Sequence, residues 1–297
     1  SDIPLEEYVE TYILEKSIEF IEQPRDNPFF LWCGFCGPHG PHDPPASHAD
    51  LYPFEDIKLP DTWEIDLSDR PAFLRRNSPR PPMTTDEQAV MRRYMSYYFC
   101  LVTLIDEYVG KLIETLEEHD ILDDTLIIYT SDHGEMLGDF ARFGKGNFYE
   151  PVVHVPLIGR PPGGCEPRHT QDLAEVMDIA PTILDYAEID RPDEMQAKTL
   201  RPMLEGKDGG HEAVLSEYTS NDRRLSGKCL ITQRYKYILW DTDDGGEFYD
   251  LQDDPRELRN LYHDPEFRGP RDEHAEILLR KLMQSEWGYC GGRTEPY

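Results

Sequence analysis

The run Thr125-Leu126-Ile127-Ile128-Tyr129-Thr130, closing on Ser131-Asp132-His133-Gly134, constrains the fold more than any other stretch. It is strand-sized, apolar without alternation, and ended by turn-forming residues, the pattern of a strand covered on both faces. Such strands belong to α/β sheets flanked by helices, and ligands bind those sheets just outside the carboxyl ends of their strands. An acid and a histidine therefore stand where a site is expected, and Gly134 lets the backbone turn sharply after them.

The surrounding chain supplies helices and further strands. Leu5 to Ile21 is an acidic stretch, apolar at Leu5, Val9, Ile13 and Phe20, that predicts a core-facing helix. Pro28-Phe29-Phe30-Leu31-Trp32 predicts a buried strand, followed by a loop rich in Pro, Gly and His. Residues 50 to 83 are proline-rich and lack periodicity, which predicts a long ordered surface excursion. Thr84 and Glu87 have capping-box spacing and open a long helix, apolar at Tyr94, Tyr98, Leu101, Ile105, Leu112 and Leu116. A third strand is expected at Val152 to Ile158 and a helix at Asp172 to Tyr186. After Gly209-Gly210 the texture changes to short strands at Ala213 to Tyr218, Cys229 to Gln233, Tyr235 to Trp240 and Glu247 to Leu251, then a helix from Asp272 to Trp287. The expected organisation is an α/β domain over 1–206 and a small antiparallel subdomain with a C-terminal helix over 207–297.

The 297 residues are 38% hydrophobic, enough to bury a substantial core, and no apolar run is long enough to span a membrane. A net charge of −29 repels nucleic acid and anionic lipid, so neither nucleic acid nor a membrane is an expected partner. An anionic substrate must then be met by a bound cation and a few local basic groups. The six cysteines lie mostly in apolar segments and read as buried free thiols, which tilts the compartment toward cytoplasm over periplasm or secretion. The terminus shows no signal peptide and opens inside a core-facing helix, as expected of a chain that has lost something upstream.

Asp132 offers a carboxylate oxygen and His133 an imidazole nitrogen, both suited to a divalent cation. Lys145, between Gly144 and Gly146, can approach an anion without obstruction from its neighbours. Taken singly, Asp132 is a turn-capping acid and Lys145 a solvated charge; together at a strand end they carry more weight. Cys33, Cys36, His39 and His42 superficially suggest zinc, but the spacer of a zinc finger is missing and structural thiols are the expectation. His42, His48 and His169 read as solvated loop histidines, and Asp241 to Gly246 as a hairpin turn, not a calcium loop.

Ser131-Asp132-His133-Gly134-Glu135-Met136-Leu137-Gly138-Asp139, with Phe143-Gly144-Lys145, Phe148-Tyr149-Glu150 and Val155-Pro156-Leu157-Ile158, resembles the second half of a sulfatase catalytic domain. Pro28 to Leu31 with Pro38-His39-Gly40-Pro41, Asp178 to Leu184, and Tyr235-Lys236-Tyr237 with Glu247 to Leu251 fit the same family in the same order. The resemblance implies an α/β, alkaline-phosphatase-like sandwich with a mixed, largely parallel sheet and a small C-terminal antiparallel subdomain. It implies hydrolysis of sulfate monoesters, the partner being a small-molecule or glycan sulfate ester. Asp132 and His133 would supply part of a Ca²⁺ site, Lys145 would contact the sulfate and the leaving-group oxygen, and His39 would act as general acid.

The departures from the family are specific. No Cys-x-Pro-Ser-Arg or Ser-x-Pro-Ser-Arg motif is present, so the formylglycine nucleophile is expected upstream of these residues. Cys165-Glu166-Pro167-Arg168 is one residue too short for that role. The paired aspartates that complete the metal site are also absent, leaving the Ca²⁺ site incomplete. Phe140 stands where relatives often have histidine, which alters the substrate mouth, and His154 where they often have arginine, read as packing. The alternatives are a phosphate or phosphonate monoester hydrolase of the same fold, and a non-catalytic sulfatase-like binding protein.

Overall fold

The computed structural model describes residues 3–75 and 80–289. The chain forms two compact units: Ser1–Asp61 with Pro81–Thr125, and Thr62–Arg80 with Leu126–Tyr297.

The first unit is built on two helices, α1 (Val9–Ile21) and α2 (Thr85–Glu118). The capping box opens α2 as expected: the Thr84 hydroxyl accepts the Glu87 N–H, and the Glu87 carboxylate accepts the Thr84 N–H at 2.8 Å. Leu14, Leu104 and Tyr108 form the buried seam of this unit, with Phe35 and Leu112 packed against it. The buried face of α1 differs from the expected one. It carries Glu10, Leu14, Ser17 and Ile21, while Val9 is exposed. Glu10 is buried because its Oε1 accepts the Gly37 N–H at 2.8 Å, tying the His39 loop to the helix. Pro28–Trp32 is extended but unpaired, because the described residues of this unit supply no other strand. Its even-numbered residues point outward, Phe30 62% and Trp32 78% exposed. His48, expected to be solvated, is buried, its Nε2 lying 3.2 Å from Glu107.

The second unit holds both sheets. β1 (Ile127–Thr130) pairs with β2 (Leu157–Arg160) in antiparallel register, Ile127 opposite Arg160 and Thr130 opposite Leu157. The class is α/β, but every strand pair among the described residues is antiparallel, not largely parallel as expected. A parallel return needs a crossover, usually a long helix. Between β1 and β2 stand only a 3₁₀ turn over Asp139–Ala141 and the single turn α3 (Glu150–Val153). The same turn displaces β2 from its expected start at Val152. Pro151 suits a first helical turn, and Pro156 has no N–H to give a ladder. Helix α4 (Ile179–Tyr186) is shorter than expected, since residues ahead of it form a 3₁₀ turn over Val176–Asp178 and a bridge from Leu173 to His211. A further helical turn, α5 (Arg201–Leu204), precedes the second sheet.

That sheet is an antiparallel meander of β3 (Ala213–Thr219), β4 (Ser226–Thr232), β5 (Tyr235–Trp240) and β6 (Gly246–Asp250), followed by α6 (Arg268–Tyr289). Period-two alternation gives it two covered faces. Leu230, Tyr237 and Phe248 join Leu278 of α6, while Cys229, Ile238, Trp240 and Tyr249 pack on Met136, Phe140, Phe148 and Tyr149. Asp241 to Gly245 is the β5–β6 hairpin turn, as expected. Cys100 and Cys229 are buried thiols, whereas Cys36 and Cys165 are exposed and Cys33 is half-buried; Cys290 lies outside the described residues. Among the described residues no helix is long and apolar enough to cross a membrane.

Lys236 of β5 is wholly buried; its ammonium donates to Phe148 O at 2.9 Å and to Glu150 Oε1 at 2.6 Å, and pairs in charge with Glu257 Oε1 at 2.6 Å. Burial alone would raise both carboxyls. For Glu150 the hydrogen bonds and charges of His154 and Lys236 outweigh burial and hold it at about 2. For Glu257 burial wins over Lys236 and pushes it up to about 7 from its ordinary 4.5. The two groups act oppositely on stability. Glu150 stabilises the fold at all pH above 4.5 and loses that effect only toward about 2. Glu257 favours the fold fully below 4.5 and loses that contribution as pH rises through about 7. Thermal unfolding should therefore show a melting temperature that falls between pH 5 and 7.5, at roughly 2–4 °C per kcal/mol lost. Glu257→Gln should flatten that slope; an unchanged slope in the variant would refute the assignment.

Candidate functional site

β1 delivers Ser131 to Gly134 at its carboxyl end. Ser131 Oγ donates to the His133 carbonyl at 2.9 Å, and Asp132 Oδ1 accepts the His133 N–H at 3.0 Å. His133 Nδ1 lies 2.8 Å from the Gly134 carbonyl oxygen. A carbonyl only accepts, so Nδ1 carries the hydrogen and the neutral ring keeps its lone pair on Nε2. That lone pair receives a hydrogen bond from Lys145 Nζ and lies 3.4 Å from Asp132 Oδ2. The Asp132 side chain is 83% exposed, and Lys145 is exposed too. Three residues singled out from the sequence thus meet in space. His39 belongs to the other unit; it is exposed, with Nδ1 2.8 Å from the Gly40 carbonyl, which by the same logic leaves Nε2 for proton exchange.

Two devices hold the loop in shape. Gly134 donates its N–H to Val152 O at 2.8 Å, and a Cβ built there would lie 2.0 Å from Pro151 O. Gly144 and Gly146 take φ of 71° and 94°, so the backbone reverses on each side of Lys145 and projects it outward. Glu135 Oε1 accepts the Gly144 N–H at 2.5 Å, and Met136 N–H donates to Gly144 O at 3.1 Å. These bonds cross-tie the Asp132 side of the loop to the Lys145 side.

Asp132 Oδ2 and His133 Nε2 are two lone-pair donors converging on one point, an arrangement that a shared cation stabilises. In this structure the Lys145 ammonium touches it. The donor types fit a divalent metal, but Ca²⁺ takes six to eight oxygens, so this pair is one edge of such a site.

A second convergence was not legible beforehand. Ligand atoms of Glu175, Asp178 and His211 lie within 4.8 Å of one another. Asp178 Oδ2 already accepts from Glu175 N and His211 Nε2, each at 2.8 Å, and Oδ1 accepts from Lys198 N at 2.9 Å. Glu175 Oε1 accepts from Leu215 N at 2.7 Å. With these lone pairs engaged, the group is a clasp joining the start of α4 to β3. Only the pairing of an acid with a distant His–Glu could have signalled it. In the other unit, Cys33 Sγ accepts from Ser17 Oγ at 3.2 Å and burial raises its pKa, as a structural thiol. Phe140, where histidine was the expected family residue, is buried on Tyr149 with centroids 4.7 Å apart. His154 is exposed and pairs with Glu150 at 3.0 Å; it is an ion-pair partner and not packing.

The site is thus an acid, a histidine and a lysine gathered at a strand end of an α/β fold. Residues 3–189 match the sulfatase family model, and residues 138–284 match that of the C-terminal region of N-sulphoglucosamine sulphohydrolase. The chain belongs to the sulfatase family. It is 31% identical over 291 residues to an arylsulfatase of Clostridium perfringens, covering 95% of this chain and 59% of that protein. It is 32% identical over 270 residues to a choline-sulfatase of Rhizobium meliloti, covering 88% of this chain and 51% of that one. Among solved structures, a phosphonate monoester hydrolase of Silicibacter pomeroyi superposes with a TM-score of 0.82 at 25% identity, over 94% of this chain and 61% of that one. The chain spans half to three fifths of the length of these relatives.

The contact at Gly134 gives a direct test of the loop. Gly134→Ala should destabilise the protein by about 2–4 kcal/mol, because the clash is with backbone that cannot rotate away. Gly110→Ala in α2, where a Cβ meets nothing within 4 Å, should stabilise it by about 0.5–1 kcal/mol. Denaturant unfolding of both variants checks the pair; equal effects would show that the approach of Gly134 to Pro151 is not tight.

Proposed function

We propose that these residues form part of the active site of a sulfate monoester hydrolase, with Lys145 on the leaving-group side. The observation that supports this reading best is the meeting of Asp132, His133 and Lys145 at the end of β1. When the bond from sulfur to the bridging oxygen breaks, negative charge develops on that oxygen. An ammonium already held in place stabilises the charge without reorganising at the moment of reaction. His133 Nε2 is the acceptor that keeps Lys145 aimed while no substrate is bound. His39, with Nδ1 bound to its own loop, would give a proton from Nε2 to the leaving alcohol. Asp132 and His133 would hold a divalent cation, which when bound neutralises part of the charge on the transferred group. No residue of this sequence matches the formylglycine motif, so none of these residues is given the role of nucleophile. In this reading 1–206 carry the catalytic α/β part and 207–297 the antiparallel subdomain.

The likeness to a phosphonate monoester hydrolase supports a second reading, in which the transferred group is a phosphate or phosphonate. The intact protein, assayed with matched aryl sulfate and aryl phosphate esters, decides between them. We expect higher kcat/KM on the sulfate; a phosphate preference above about tenfold, worth about 1.4 kcal/mol, would replace the first reading with the second. Turnover of neither ester would favour a binding protein. Lys145→Ala should lower kcat by about 10²–10³ with little change in KM, the signature of a contact made in the transition state. Asp132→Ala should remove most activity, and wild-type turnover in that variant would sink its assignment as a metal ligand.

A further inference from the structure

Residues 62–75 and Arg80, read from sequence as part of a surface excursion, lie in the second unit beside the turn over residues 139–143. Between them lies a cavity of about 300 Å³. Trp63, Phe73, Phe140 and Phe143 provide flat walls, and two guanidinium groups, Arg80 and Arg142, enter it. Trp63 and Phe143 meet edge to face with centroids 6.5 Å apart, and Arg80 Cζ stands 5.1 Å from the Trp63 ring centroid. Arg142 donates to the Leu74 carbonyl, yet its buried Nε meets no hydrogen-bond partner. Among the described residues no acidic side chain lines the cavity. Burial lowers the Arg142 pKa; Tyr149 and Glu247 act against that, and the charge of Arg80 adds to it.

Two guanidinium groups near one another, one with an idle donor, are stabilised by an anion between them. In a chain with a net charge of −29 such a pair is out of keeping with the general field. Aromatic faces suit a ring, and the volume matches the small end of ligand pockets. Phe143 is two residues before Lys145, on the loop already described. We propose that this cavity is a binding subsite for a ring carrying an anionic group, the portion of the substrate that bears a second sulfate or a carboxylate. As a substrate subsite it rests on the hydrolase reading above; as a binding site it does not. A sulfated sugar and an aryl sulfonate share the required chemistry.

Tryptophan fluorescence of the intact protein, titrated with benzenesulfonate against phenol and with glucuronate against glucose, tests the site without turnover. The charged ring should bind about tenfold or more tightly than its neutral partner, as expected for one charge-assisted hydrogen bond. Arg80→Ala should erase that preference, Arg142→Gln should reduce it, and Lys145→Ala should leave it intact. The tighter of the two charged probes names the ring. Equal affinities for charged and neutral probes, or a preference that survives Arg80→Ala, would overturn the proposal. So would a preference lost only in Lys145→Ala, since the anion would then sit at the lysine. Binding with these variant responses but without turnover of any sulfate ester would keep the site and remove the hydrolase reading.

Discussion

The second unit depends on one buried cation. Lys236 gives up all contact with water, a loss worth several kcal/mol unless acceptors and opposite charge replace it. Its partners come from three places in the chain: the Phe148 carbonyl and Glu150 at the head of α3 accept hydrogen bonds, and Glu257 beyond β6 pairs with its charge. Glu257 Oε2 also accepts the Glu150 N–H at 2.8 Å, closing the ring of contacts. This fixes where α3 stands. Val152 of α3 then receives the Gly134 N–H, and Gly134 follows directly on His133. A lysine on the C-terminal meander is thereby coupled, through two hydrogen bonds and one helical turn, to the position of the candidate metal ligands.

A second buried charge reinforces the first. Glu247, opposite Ile238 in the ladder, is almost wholly inaccessible and takes hydrogen bonds from Trp240 at 2.9 Å, Tyr149 at 2.9 Å and Tyr249 at 2.5 Å. Arg70 lies 3.8 Å from the same carboxylate and donates to the Glu257 carbonyl at 2.6 Å. Full pairing makes these charges tolerable, and loss of any one partner would strand another. The loop above them is under strain. Leu137, Phe140 and Ala141 take φ of 45°, 52° and 54°, where side chains cost of order 1–3 kcal/mol each. Compensation is visible at Phe140, whose N–H donates to Thr62 Oγ1 at 3.1 Å and whose ring packs on Tyr149. The strained segment lies between the Asp132 and Lys145 arms, and the buried charges supply the rigid floor that holds it.

What was legible in the sequence was local. The capping box at Thr84, the β1 junction and the four strands of the meander follow from patterns within a few residues, and the structure has them close to their expected places. Asp132, His133 and Lys145 were legible because a strand end and two glycines mark them. The failures share one cause, which is that a neighbour distant in sequence decides the outcome. Pro28–Trp32 has strand composition but no partner strand among the described residues of its unit. Glu10 and Ser17 occupy a buried face because Gly37 and Cys33 offer hydrogen bonds there, which periodicity cannot show. Lys236 lay inside a motif quoted for its family likeness, yet nothing nearby in sequence told that it would be buried between two glutamates.

Residues 62–80 show the same limit from the other direction. Prolines and missing periodicity describe the stretch as irregular, and residues 62–75 are so, but irregular does not mean peripheral. Leu67 and Leu74 enter the core beside Met136 and Tyr149, Arg70 enters the buried charge network, and Asp69 accepts the Asn260 N–H at 2.8 Å. These anchors flank Trp63 and Phe73, two of the walls of the cavity beside the turn at 139–143. Arg142 of the strained loop meets Arg80 at one cavity in a chain of strongly negative net charge. A local field of the opposite sign is what an anionic substrate needs to approach such a protein. Its source is the fold, which brings two arginines 62 positions apart to one cavity, and not the composition, which alone argues against anions.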